Sequence, residues 1–400
     1  MVGGADRATA GGTGSGAAAG AGAVEVVRVA DRHIPQLANF IRQVWDPNAN
    51  PDTVRRAREA SAAENPAAGG TPPATFLLLS GDRAIGHVGT IPIRLWYGCR
   101  AWPAHWVKGL MVLPEHRNGP VGFMVLKEAT KHLDCALAMV VEVAPRRLFG
   151  ALGFTDLGPL PNYLRVLRPA RILQRLDLER IKLGATSRRL APLVGFLRRS
   201  DLAALAGYAL GAGIGLVTAT VGRSRRALRA EYPPRLDRDE VSRLWDAVRS
   251  ALPACPVRDG AYLGWRYDAG PSAPYRLALV REGEALVGLS IVRRPSAEPD
   301  PRLGDARVAV ISDLLFHPER QDVGLAALAA AETLARDLEA DALLCSASHA
   351  AVSGALRRRA YFPLPGNVHV LVRRLPEGAG APTLAEWWLT RGDSNADDVF

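Results

Sequence analysis

The chain has 400 residues, with 50 Lys and Arg against 40 Asp and Glu, a formal charge of +10. At 48% hydrophobic and 22% charged residues it is neither a disordered polyelectrolyte nor a small cystine-stapled scaffold, and its length suits two domains of ordinary size. Cys99, Cys135, Cys255 and Cys345 are scattered with no CxxC pair, so neither a disulfide framework nor a Cys-rich zinc site is expected; no metal is implied, and a reducing, cytoplasmic compartment is the default.

Residues 1–23 are almost all Gly, Ala, Thr and Ser without an apolar signal core, and read as a disordered tail. From Val24 the pattern changes. VEVVRV reads as a strand, and Asp31 stands where it would cap a helix carrying Ile34, Leu37, Phe40, Ile41 and Val44. ATFLLLS and AIGHVGTIPIRLWY flank a tight GD turn and read as strands, as does AHWVKGLMVLP. EHRNGP then leads into a helix, VGFMVLKEATKHL. CALAMVVEV reads as a buried strand, PRRLFGAL as a short helix ending at Gly153, and FTDLGPLPNYLRVLR as one returning strand. Residues 24–168 thus form one α/β unit.

The basic excess is local. Residues 165–230 hold fourteen Arg or Lys and three Asp or Glu, a net of +11, which leaves the remainder near neutrality. Within them, residues 202–222 are uncharged and flanked by arginines. Three readings of this 169–230 linker stay open: a helix buried between domains, a helix lying on an anionic membrane surface, or a span, the last weakened by its Ala and Gly content. Nucleic acid is the least favoured partner, because the charge goes with an apolar segment rather than with interleaved aromatics or a recognition helix.

The element order then recurs over residues 231–374: a helix in DEVSRLWDAV, a hairpin from PYRLALV to EALVGLSIVRR, the strand ARVAVISDLLF, a long Ala-rich helix, the strand ADALLCSA, a short helix and a closing strand NVHVLVRRL. Residues 375–400 are a tail with tryptophans and acidic residues. The expected fold is α/β: two mixed-sheet domains in tandem, joined by a basic helical linker.

HVGTIPI, WVKGLMVLPEHRNGPVGFMVLKEA and VEVAPRRLFGALGF together resemble the GCN5-related acyltransferase (GNAT) superfamily over residues 24–168, and the element order extends the resemblance to 231–374. The resemblance implies that a bulged central strand holds the pantetheine arm of acyl-coenzyme A, with Val112 and Leu113 at the strand-to-loop position. It places the pyrophosphate on the following loop and helix start, at Arg117, Asn118, Gly119, Val121 and Gly122. That placement is physically reasonable: a helix start leaves amides unpaired, glycine permits close approach, and arginine adds fixed charge. Pro120 departs from the family loop and removes one amide. In the second unit Glu319 and Asp322 stand where phosphate oxygens would sit, so only the first unit is expected to bind the donor. Phe149 stands beside the donor where the family carries its acid, a Tyr, and Arg357 has that place in the second unit.

Acyl transfer to an amine needs a proton acceptor. The candidates are His87 in the GHVGTIPI strand, His105 before the central strand, Glu142 at the end of VVEV, and Asp313, which interrupts the apolar run VAVISDLLF. Each has an ordinary alternative: a hydrogen-bonded strand histidine, a turn residue, a helix cap, or, for Asp313, a carboxylate paired or placed at a bulge, with Arg266 and Tyr267 as partners. The GWRY segment and the C-terminal tail resemble tandem acetyltransferase-like proteins of bacterial polysaccharide gene sets. In the tail, Trp387, Trp388 and Asp393 read as an aromatic platform for an acceptor such as an aminosugar, or as tryptophans docked on a domain. The leading function is an N-acyltransferase moving an acetyl or longer acyl group from acyl-coenzyme A to an amine of a sugar or small metabolite. Donation from an acyl carrier protein is the alternative enzyme, and a non-catalytic membrane-associated scaffold or binding protein the alternative class.

Overall fold

The computed structural model describes residues 24–175, 228–268, 274–296, 306–377, 382–394 and 396–399. The 1–23 tail and nearly all of the 169–230 linker, including residues 202–222, lie outside the described residues. Among the described residues no helix is long and apolar enough to cross a membrane.

The first unit begins with strand β1 (Val24–Arg28) and helices α1 (Ile34–Val44) and α2 (Pro51–Glu64). Helix α1 buries Ile34, Leu37, Ala38 and Phe40, the spacing of one helical face. Asn50 caps α2 by accepting from the amides of Asp52 and Thr53, with Pro51 at the first helical position. β2 (Thr75–Ser80), β3 (Arg83–Tyr97) and β4 (Arg100–Val112) form an antiparallel meander. The β3–β4 hairpin turns on Gly98 and Cys99, both at positive φ, the geometry that matches strand twist in a two-residue loop. Helix α3 (Val121–Lys131), strand β5 (Ala136–Val140), helix α4 (Val143–Ala151) and strand β6 (Thr155–Pro159) follow.

The segment 154–168, expected as one strand, is two. Pro159 and Pro161 interrupt it, and β7 (Asn162–Val166) leaves for the other sheet, because proline cannot sustain a ladder. After α5 (Pro169–Arg175), the second unit contains β8 (Leu228–Glu231), α6 (Arg238–Val248), β9 (Ala254–Pro256), α7 (Gly260–Tyr267), β10 (Tyr275–Glu282), β11 (Ala285–Arg293) and β12 (Val308–Phe316). It continues through α8 (Gln321–Asp337), β13 (Ala342–Ser346), α9 (Ala350–Arg358), β14 (Phe362–Leu364) and β15 (His369–Arg373).

Neither sheet is built from one contiguous stretch. The first has the order β1-β2-β3-β4-β5-β15-β6, with β9 also on β3; the second has β14-β7-β13-β12-β11-β10-β8. β7 pairs with β13 from Asn162↔Ser346 to Val166↔Ala342, and β15 pairs with β5 from His369↔Val140 to Arg373↔Ala136. The units therefore exchange strands, β7 in one direction and β15 with the short β9 in the other, and a division at 168 and 374 separates these strands from their sheets. The core follows the same pattern. Ile91, Ile93, Leu95, Trp96 and Trp106 of the β3–β4 hairpin pack in one hydrophobic cluster with Trp245, Leu277, Ile311 and Trp387 of the second unit, while α1, β2 and α3 enclose a separate core.

Candidate active site

Strand β4 carries one more residue than β3 between the pairs His87↔Met111 and Gly89↔Lys108. The bulge falls at Gly109, whose φ of 60° favours glycine. β4 pairs in parallel with β5 only from His105↔Ala136 to Val107↔Ala138, so the two strands diverge from the bulge onward. The opening is apolar and partly exposed: Leu110, Met111 and Val112 on one side, Val141 (50% exposed) and Val143 (52%) on the other. No described segment pairs across it.

At the end of β4, Leu113 is buried and its amide donates to the Ile85 carbonyl (3.0 Å). The amides of Arg117 and Gly119 are taken up by turn bonds to the carbonyls of Pro114 and His116. The amides left facing outward by position are those of α3's first turn, at Val121, Gly122 and Phe123. Pro120 is the N-cap, and its carbonyl receives the first helical bond from Met124 (2.9 Å). Arg117 is exposed and its Nε donates to the Val112 carbonyl (3.2 Å), which ties it to the lip of the opening. A Cβ on Gly122 would meet only ordinary contacts, 3.4 Å from Leu148 and 3.5 Å from Val112, so packing alone does not require this glycine.

On the other side of the bulge lies a cavity of about 650 Å³, lined by α1, α2 and β3, with Lys108 from β4 and Trp265 and Arg266 from α7. His87 is on its wall. Its Nδ1–H donates to the Gly109 carbonyl (2.7 Å), which fixes the tautomer and leaves Nε2 as the acceptor nitrogen. Phe40 stacks on the imidazole and Trp45 meets it edge-on, with centroids 5.7 Å and 5.0 Å away. Burial pushes the His87 pKa down to about 4, against the pull of the Gly109 carbonyl and helped by Lys108 and Arg58. His87 is thus a neutral hydrogen-bond acceptor at the bulge, next to where the β4–β5 opening begins.

The second unit repeats the arrangement and then fills it. β12 has one extra residue, Ser312, between the pairs Ile291↔Asp313 and Val292↔Ile311, and its parallel pairing with β13 stops at Ile311↔Cys345. The C-terminal segment occupies the gap. The Trp388 indole donates to the Leu314 carbonyl (2.7 Å), the Leu389 carbonyl accepts from the Ser348 amide (3.1 Å), and Thr390 bridges Ala347. Arg258, wholly buried, fastens the segment: its guanidinium donates to Asp313 (2.8 Å), to both oxygens of Asp393 (2.8 and 2.7 Å) and to the Trp388 carbonyl (3.2 Å). Gly392 lies so close to β12 that a Cβ would sit 2.5 Å from the Ser312 carbonyl.

Several expected site residues are corrected by these positions. Trp387 and Trp388 have no exposed surface and Asp393 is clamped by Arg258, so the tail is a docked plug and not an acceptor platform. Asp313 is buried, bound by Arg258 and by the Tyr267 hydroxyl (3.2 Å); it is paired and beside a bulge, the condition that makes a carboxylate in an apolar strand tolerable. Arg266 pairs instead with Asp397 (3.2 Å). Phe149 is 2% exposed and packs edge-on against Phe154. His105 lies in the paired part of β4 and does not line the cavity. Glu142 is exposed at the N-cap of α4 without a side-chain capping bond. Only His87 and the β4–α3 segment converge on one place. Sequence reading missed Arg58 and Trp265, because nothing in the spacing of α2 or of GWRY reports the cavity they share, and it missed Trp45, which meets the His87 ring.

No protein-family model matches the sequence, and no curated protein matches it. Solved structures do match its fold. A protein of Enterococcus faecalis described as a probable N-acyltransferase aligns with 88% of this chain and 72% of its own, at TM-score 0.53 and 10% identity. A GCN5-related N-acetyltransferase of Anabaena variabilis gives TM-score 0.53 and 11% identity over 87% of this chain and 72% of its own. The N-myristoyltransferase of Saccharomyces cerevisiae, solved with bound myristoyl-CoA, gives 0.51 and 12% over 88% and 82%. The fold is the GNAT fold, in tandem. In GNAT terms, the bulge at Gly109 and the divergence of β4 from β5 lie in the first unit and have their counterpart at Ser312 in the second.

Proposed function

We propose that the protein is an N-acyltransferase that takes an acyl group from acyl-coenzyme A and passes it to the amine of a small metabolite. The observation that carries this reading is the contrast between the two units: among the described residues nothing pairs across the opening beside the bulge in the first, whereas the chain's own C-terminal segment fills its counterpart in the second. In this reading the pantetheine arm lies along Leu110–Val112 against Val141, and the acyl carbonyl meets the bulge. The pyrophosphate rests on the first amides of α3 with Arg117 beside it. The acceptor amine enters from the 650 Å³ cavity. His87 Nε2 orients its N–H, and the proton leaves through water, since a group that stays neutral to about pH 4 is a weak base. With Trp387 and Trp388 buried, these tryptophans give no reason to favour a sugar over other amines.

Pro120 at the α3 N-cap supplies no amide, which favours a second reading in which the donor is held on an acyl carrier protein. Calorimetry with acetyl-coenzyme A and a thiol-release assay with a pool of amines separate the two. The first reading expects binding, thiol release and a loss of affinity of about tenfold or more in Arg117→Ala, as for a charge-assisted phosphate contact. Absence of acyl-coenzyme A binding together with transfer from an acylated carrier protein establishes the second instead.

A further inference from the structure

The cavity beside His87 is mostly apolar, with Leu37, Ile41, Val54 and Ile91 among its walls, and its volume suits a small ligand. Arg58, Lys108 and Arg266 line it, with Asp46 as the carboxylate among its lining residues. Arg266 is already neutralised by Asp397 and bonded to the Gly392 carbonyl. Arg58 is not. Its guanidinium donates only to neutral acceptors, the Thr75 hydroxyl (2.9 Å) and the carbonyls of Val29 (3.4 Å) and Pro73 (3.5 Å). Among the described residues no carboxylate lies within salt-bridge distance of it. Asp31 acts on it from farther away, opposed by Arg28. These three bonds leave two of the five guanidinium N–H donors for another partner.

A half-buried guanidinium stays charged whatever its surroundings, and holding it against apolar walls without a counter-ion is unfavourable. Three bonds anchor it to the β1–β2 edge, so it cannot swing out to water as a loose surface arginine does. The arrangement is a preorganised cation awaiting an anion.

We propose that the amine acceptor carries a carboxylate or phosphate group on an apolar body, and that Arg58 recognises this anion while the amine is presented at His87. The inference rests on the acyl-transfer reading and names the substrate class for it. The same positive field explains how an acceptor amine becomes nucleophilic beside so weak a base. Lys108 and Arg58 disfavour an ammonium in the cavity, so the amine is driven toward its neutral form, and the anion supplies the binding energy that this repulsion opposes.

The test uses probe pairs with and without the anion, compared at a pH low enough that every amine is protonated: phenylalanine against its methyl ester, and O-phosphoethanolamine against ethanolamine. Calorimetry on the full chain loaded with coenzyme A should show at least one anionic member binding about tenfold or more tighter than its neutral twin, as a charge-assisted pair requires. The pair that discriminates tells carboxylate from phosphate. Arg58→Gln should abolish the discrimination and Arg58→Lys should keep part of it, with acetyl-coenzyme A affinity unchanged in both. Equal affinities of the twins for the unaltered protein, no binding of either anionic probe, or discrimination that survives Arg58→Gln overturns the inference. Thiol release reads the acyl-transfer proposal separately: anion-selective binding without transfer to any amine refutes transfer but not recognition, and transfer to neutral amines without anion preference does the reverse.

Discussion

Replacing Arg258 with methionine keeps an unbranched apolar stem and deletes the charged guanidinium. The guanidinium has no exposed surface and joins Asp313 of β12 to Asp393 of the C-terminal segment, whose side chains are equally buried. The variant leaves two buried carboxylates without their cation and strips a partner from the carbonyls of Pro256 and Trp388. Breaking a buried ion pair from one side costs about 3–5 kcal/mol, a large share of the roughly 5–15 kcal/mol that holds a folded protein together. For a chain of 400 residues whose two units unfold together, about 2 cal/mol/K of unfolding entropy per residue makes each kcal/mol worth a little over ~1 °C, so the midpoint of thermal unfolding should fall by roughly 5 °C. The deficit should also narrow in acid. Burial holds the Asp393 carboxyl up to about 6 even with Arg258 present, and without the guanidinium it rises further. A carboxyl raised in the folded state binds its proton more readily there than in the unfolded chain, so its favourable contribution is complete below the unfolded value near 4 and is lost as pH rises through the folded value. Differential scanning calorimetry at pH 7 and pH 5 reads both effects. The triple variant with Asp313→Asn and Asp393→Asn should recover much of the loss, since no uncompensated charge remains. A midpoint within a degree or two of the parent, or a deficit that grows in acid, refutes the clamp.

Glycine substitutions should separate the two units. Gly324→Ala places a Cβ 2.6 Å from the buried Phe316 ring and should destabilise by about 1–3 kcal/mol in denaturant unfolding, whereas Gly122→Ala should leave stability within about 1 kcal/mol of the parent and weaken acetyl-coenzyme A binding. Titration of the full chain with acetyl-coenzyme A should saturate at one equivalent, because the second opening is filled; two equivalents would place a donor where Trp388 now lies. The His87 imidazole should show no titration between pH 5 and 8 by NMR, since its pKa is held near 4. His349, also pushed down to about 4 by burial, should act with it: two groups neutral in the fold contribute stability above pH 6.5 that is lost as pH falls toward 4, seen as a declining unfolding midpoint over that interval.

Much of the first unit was legible because its signals are local. The apolar runs of β2 and β5 and the long alternation of β3 are each properties of a short string, whereas the bulge entered only through the family resemblance and Gly109 was not singled out. Partner choice is not local. Nothing in NYLRV says that it joins β13 rather than β5, although Pro159 and Pro161 were there to suggest a break. The tail shows the same limit in its side chains. Two tryptophans beside three aspartates suit an exposed platform or a docked plug equally well, and the residue that decides, Arg258, sits 129 positions before Trp387 in CPVRDG. Asp313 was the better clue: a carboxylate inside VAVISDLLF demands a cation, and the only question was which arginine. Arg58 gave no warning, because α2 is rich in arginines and only the tertiary fold singles out the one that faces a cavity.

The reciprocal exchange of β7 and β15 bears on how the chain is made. During synthesis the first 168 residues emerge early, yet the strand that lies between β5 and β6 arrives only with residues His369–Arg373. Until then β5 has an open flank and β6 has no neighbour, and β7 waits for β13, nearly 180 residues downstream. Unpaired edges of this kind invite association with other nascent chains, and pairings so distant along the sequence close slowly. The protein is therefore committed to folding after release rather than one half at a time. A stop codon or a cut near the apparent boundary should yield two insoluble pieces, each holding the other's missing strand.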